Sequence, residues 1–176
     1  MNKQKETFKI VLSAIFIALA YVLPFLTGNI PQIGSKLCPM HIPVILCGFI
    51  CGWKYGLIVG VVSPLLRSLT LSMPPLFPTA LAMSLELATY GFIAGLLHQL
   101  LPKTKKSIYI SLIIAMIVGR LVWGTAMFAF LGNTQFGISA FWAGAVGNAI
   151  PGIIIQIVLI PLIIMFYETK LNKNQF

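Results

Sequence analysis

Three side chains stand out as able to do chemistry, Arg67, Glu86 and Arg120, because each lies inside a long apolar stretch. A charge at the centre of a membrane helix costs roughly 2.5–3.5 kcal/mol on insertion scales, so it is kept facing a bundle interior or a water-filled cavity. At about 1.5 Å per residue, Glu86 falls roughly 12 Å below the outer end of its helix and Arg120 roughly 20 Å up from the cytoplasmic end of its own. Asn148 falls roughly 13 Å below the outer surface, and Arg67 sits near the outer end of its span. Helical phase gathers neighbours around them. Thr79, Met83, Glu86 and Tyr90 share one face, as do Met116, Arg120, Trp123 and Met127, while Phe141 and Asn148 are seven apart. An amphipathic cavity with a few fixed polar groups is the usual composition of a small-molecule site. One carboxylate cannot neutralise two guanidinium groups, and the residual positive charge favours a ligand carrying a carboxylate or phosphate. The plainer alternative is an Arg–Glu pair that only pins two helices.

Other chemistries lack their residues. There is no G-x-x-x-x-G-K-[ST], no HExxH and no G-x-S-x-G, and a single acid lies in the apolar spans, so neither ATP hydrolysis through a P-loop nor an intramembrane hydrolase is expected. The chain is read as no enzyme, with no cofactor. Cys47 and Cys51 are four apart on an apolar helix, without the spacing or companions of a metal site. His41, beside Met40 at the start of an apolar run, reads as an interfacial residue, and His98 as a bland one near the other surface.

The elements that must position these residues are membrane helices. Of the 176 residues 59% are hydrophobic and 9% charged, against roughly 25% charged in soluble domains. Too few polar residues exist to cover a water-facing surface. At about 20 residues per span, the chain has room for five to seven spans and no sizeable soluble domain. Six are expected: about Ile10–Leu26, a short Pro39–Gly52, Tyr55–Leu71, Thr79–Leu101 with Thr79 as its N-cap, Ile108–Leu131 and Ser139–Phe166. The fold class is therefore all-α, one membrane domain over residues 1–176. No cleavage site follows the first span, which is read as a retained helix. Gly48, Gly52, Gly56 and Gly60 recur every four residues, a spacing that lets helices approach closely.

The net charge of +9 reports topology before partners. With six spans, Lys3, Lys5, Lys9, Lys54, Lys103, Lys105, Lys106, Lys170 and Lys173 fall on one side and only Lys36 on the other. The basic side is the cytoplasmic one, so both termini are expected in the cytoplasm and the protein in the cell membrane as a multi-pass chain. No nucleic acid is expected as a partner.

Several stretches resemble the substrate-binding S components of energy-coupling factor (ECF) vitamin transporters. They are Ala14-x-x-x-Ala18, the run Leu37-Cys-Pro-Met-His-Ile-Pro-Val-Ile-Leu-Cys-Gly-Phe-Ile-Cys-Gly-Trp53, Pro64-Leu-Leu-Arg67, Met73-Pro-Pro-Leu-Phe-Pro-Thr79 and Glu86-Leu-Ala-Thr-Tyr-Gly91. The resemblance implies a high-affinity vitamin-binding subunit that docks on a transmembrane T component driven by two ATPases. It implies Ala14 and Ala18 as contacts to that T component, and a pocket drawing on Glu86, Arg120, Trp123 and Asn148, to which helical phase adds Thr79 and Tyr90 and depth adds Arg67. Metal-specific members begin with Met-x-His, which Met1-Asn-Lys3 lacks, so no metal substrate is expected. The arginine excess favours pantothenate, with folate or a queuosine precursor as alternatives. A self-sufficient carrier or channel for a small organic anion is the competing reading, and no matched inverted halves support it.

Overall fold

A computed structural model describes residues 3–27, 37–135 and 150–173, and among these the ordered elements are helices, with no strand. Helix α1 runs Lys3–Val22 and closes in a 3-10 turn, Leu23–Thr27. After residues 28–36, which lie outside the described set, come α2, His41–Cys51, and α3, Trp53–Leu71. They are hinged at Gly52, whose φ of 101° is a conformation that glycine adopts without a Cβ penalty. Helix α4, Leu81–Leu100, follows a π-type turn, Leu76–Ala80. Helix α5 spans Lys105–Gln135 with its helical path broken at Gly132, φ 71°, and α6 spans Ile150–Lys173.

Five of these helices, all but α2, are long and apolar enough to cross a bilayer. The second expected span is an 11-residue helix, about 16 Å long and roughly half a hydrocarbon core. Only Ile42 and Ile50 of α2 escape burial, as suits a helix that is apolar on every side. The start of α4 also departs from expectation. Thr79 does not cap it: the chain enters through the π-type turn, and the backbone N–H of Leu81 bonds the carbonyls of Leu76 and Pro78. No side-chain cap is made there, because Thr79 already lies inside the turn.

The pattern of burial is that of a membrane bundle. Phe8, Val11, Ile15, Leu69, Ile117, Val158 and Phe166 are exposed, while Ser13, Ser63, Arg67, Ser84, Glu86, Ser111 and Gln156 are buried. A soluble domain sorts its residues the other way; in lipid the polar groups must find partners inside.

Three helices meet at backbone contact. A Cβ at Gly48 would strike the carbonyl oxygen of Gly91, one at Gly91 would strike the Gly56 backbone, and one at Gly95 would sit 2.6 Å from the Gly48 oxygen. The glycine repeat thus serves packing of α2 and α3 on α4. The fully buried Val44, Ile45, Leu87, Tyr90, Ile108, Leu112, Ile160 and Ile164 fill the space around that seam.

Lysines gather where α1 begins and α2, α4 and α6 end. There Gln4, Lys5 and Lys9 of α1 line a cavity of about 360 Å³ with Ile50 and Cys51 of α2 and Tyr167 of α6. His98 Nε2 lies 3.2 Å from Glu168 Oε1, and Lys103 Nζ donates to the His98 carbonyl at 3.1 Å. At the opposite end Phe77 packs against Phe130, ring centroids 5.5 Å apart. It is toward that end that the candidate site lies.

Candidate functional site

Helix α4 carries Glu86 and Tyr90 four residues apart, hence on one face. The Tyr90 hydroxyl donates to Glu86 Oε1 at 2.8 Å. From α5, Arg120 Nη1 reaches the same oxygen at 2.9 Å. From the first residue of α2, His41 Nε2 approaches it to 3.5 Å. Three helices therefore converge on one carboxylate oxygen. Glu86 is 1% exposed, while the Arg120 side chain keeps 17% of its surface and forms the open rim of the cluster. Arg120 Nη2 also donates to Cys38 Sγ at 3.6 Å, joining the segment before α2 to α5.

Local sequence explains the convergence. Gly119 lacks a side chain where the Tyr90 ring lies, and a Cβ there would enter the ring. The ring can then lean against α5 and direct its hydroxyl back to Glu86. The ring also meets that of His41, centroids 5.3 Å apart. A buried carboxylate held by a guanidinium and a phenol has the paired and hydrogen-bonded surroundings that a buried charge needs.

Arg67 is placed elsewhere. It is buried, and its Nη1 donates to the carbonyl of Tyr21 at 2.8 Å, one of the carbonyls that a helix leaves unpaired at its C-terminus. Its guanidinium carbon lies 4.9 Å from the Phe25 ring centroid and 6.0 Å from that of Tyr21. Arg67 thus ties α3 to the end of α1, and of the two arginines it is Arg120 that pairs with Glu86. Among the described residues, then, one arginine pairs with the acid and the other bonds the end of α1, whose position the sequence alone does not locate.

Trp123 follows Arg120 by three residues on α5 and is partly exposed, as are Thr79, Met83 and Met127, while Met116 is buried. Asn148 and Phe141 lie outside the described residues. His41, which reads from sequence as interfacial, is a further member of the cluster and is buried, 3% exposed. The available signal was the scarcity of acids, since a lone buried carboxylate calls for more than one donor. Cys38 offered no such signal. Among the described residues no three His, Cys, Asp or Glu side chains converge as a metal site.

The sequence model of the family described as "ECF transporter, substrate-specific component" matches residues 8–164, from α1 into α6 and across the whole cluster. The chain belongs to this family. No curated protein and no solved structure matches it. As an ECF S component the chain is a transporter's substrate-binding protein and not an enzyme, a membrane protein that associates with a T component and ATPases and takes a small-molecule substrate. The absence of a P-loop from the S component is then a division of labour, with ATP hydrolysis left to the partner subunits.

Proposed function

We propose that this S component binds a vitamin or related micronutrient at the Glu86–Tyr90–Arg120 cluster and delivers it through an ECF-type importer in the cell membrane. The observation that carries the reading is the cluster itself: a buried carboxylate held from three helices, with its guanidinium at the open rim. A polar group in lipid is expensive unless it is used. Thr79, Trp123 and Asn148 complete the proposed pocket, with Arg67 supporting it through α1. The lysine-rich end, carrying the residues around Lys5, Lys9 and Lys103, is proposed to face the cytoplasm, with both termini there. On that orientation the single membrane domain of residues 1–176 opens its site outward.

Pantothenate was favoured by two arginines facing one acid. Arg120 pairs with Glu86 and Arg67 donates to the Tyr21 carbonyl, so pantothenate, folate, a queuosine precursor and uncharged vitamins all enter the test. A self-sufficient carrier is the weaker reading for a chain of this family. The test is a ligand titration of the purified chain in detergent, read by thermal unfolding. One vitamin should raise Tm, and Glu86→Gln combined with Arg120→Met should abolish that rise in a folded protein. An undiminished rise in the double variant would remove the cluster from the site.

A further inference from the structure

The cluster is balanced in formal charge but not in hydrogen bonds. Glu86 and Arg120 cancel at 2.9 Å, and no other Asp, Glu, Lys or Arg enters the ion pairs of this cluster among the described residues. Two buried nitrogens there have no hydrogen-bond partner among the described residues, His41 Nδ1 and Arg120 Nε, and a third, His41 Nε2, has only the long 3.5 Å contact to Glu86 Oε1. Nearly all buried polar atoms in folded proteins are paired, so two unpaired on adjoining side chains call for a reason. His41 is not a loose surface ring. It is buried, stacked at a tilt on Tyr90, and opens α2 within 3.5 Å of Glu86.

We infer that His41 contacts the ligand and sets specificity, and that the cluster selects a ligand whose inserted end is polar but uncharged, such as an amide, a hydroxyl or a ring carbonyl or nitrogen. The inference rests on the proposed site at Glu86 and Arg120. With Nε2 turned to Glu86 Oε1 as the donor, Nδ1 is the acceptor of a neutral imidazole, so an amide-like group can donate its N–H to Nδ1 while its carbonyl accepts from Arg120 Nε. A carboxylate on the ligand would have to compete with Glu86 for the one guanidinium and would leave one of two buried acids unpaired. A cation would compete with Arg120 for the one acid. Charged ligands are thus disfavoured from both directions, by the same buried pair.

The experiment uses the full chain in detergent and measures Tm with matched probes: nicotinamide against nicotinate and panthenol against pantothenate, with riboflavin and pyridoxine as further uncharged compounds and thiamine as a cation. The largest rise in Tm should come from an uncharged compound. The largest rise from an acid or a cation, or no rise from any uncharged compound, overturns the selection by charge. His41→Phe keeps the ring against Tyr90 and removes the unpaired Nδ1 together with the long contact of Nε2 to Glu86. It should hold or raise the ligand-free Tm, yet weaken binding of the best compound by about tenfold or more, the worth of one good hydrogen bond. His41→Gln, which retains a donor and an acceptor, should recover part of the affinity. Unchanged affinity in His41→Phe, or a fall in ligand-free Tm in both variants, makes His41 a structural residue and overturns its role. The two levels separate cleanly. If an acid binds best and is lost in Arg120→Met, only the charge inference fails; if the best compound is indifferent to Glu86→Gln with Arg120→Met, the proposed site itself fails.

Discussion

A single oxygen, Glu86 Oε1, receives a guanidinium, a phenol and an imidazole, so substitutions around it will not be additive. Arg120→Met strands a buried carboxylate and should cost about 3–5 kcal/mol of stability. Adding Glu86→Gln should return most of it, because an amide is cheaper to bury than an unpaired charge. Unfolding of both single variants and the double in one detergent gives the coupling directly, and additive losses would contradict the pair. Gly119→Ala acts on the same cluster from α5. Its methyl group would enter the space of the Tyr90 ring, which is pinned by the hydroxyl bond to Glu86 and by His41. Overpacking of this kind costs about 1–3 kcal/mol, and here it should weaken ligand binding as well. Gly119→Ala with Tm and affinity unchanged would mean that the ring can move aside.

At the scale of the elements, α2, α3 and α4 are joined through their backbones and α1 is held at its tip. The α2–α3–α4 seam has no room for a methyl group at Gly91, which faces the Gly56 backbone. Backbone cannot swing away as a flexible side chain would, so Gly91→Ala should lower Tm more than Gly132→Ala, where the added Cβ meets nothing within 4 Å. The comparison is informative because Gly132, with φ 71°, carries only the conformational strain of the substitution. Equal losses would show that the seam opens readily. Helix α1 is different: Ala14 and Ala18 are exposed, one turn apart on its surface. Replacing both with Leu should leave ligand binding within about twofold, since neither touches the cluster, and should impair uptake by the assembled importer through bulk at a close helix contact. A parallel loss of binding and uptake would return this face to internal packing.

At the scale of the whole molecule, a bundle with a polar interior and an apolar exterior binds but has no machinery to drive accumulation. Reconstituted alone in liposomes, the chain should bind ligand and show no concentrative uptake; with its T component and ATPases, uptake should follow ATP. Concentrative uptake by the single chain would revive the carrier reading.

Membrane class, helical fold, the positions of the breaks at Gly52 and Gly132 and the family all follow from the sequence, because each is written in local quantities. Apolar run length dictates a span, and a glycine or proline between runs dictates where it stops. Glu86, Tyr90 and Arg120 were legible for the same reason: one helix face and one expensive charge are local facts. What each charge pairs with is not local. Arg67 and Arg120 look alike in sequence, and only packing gives one the end of α1 and the other Glu86. His41 reads as interfacial by its position before an apolar run, yet the shortness of α2 carries it inside the bundle, next to Tyr90 and Glu86. The depth of a residue follows from its own helix; its partners follow from where the other helices come to rest, and that is decided by side-chain volume and backbone contact across the whole bundle.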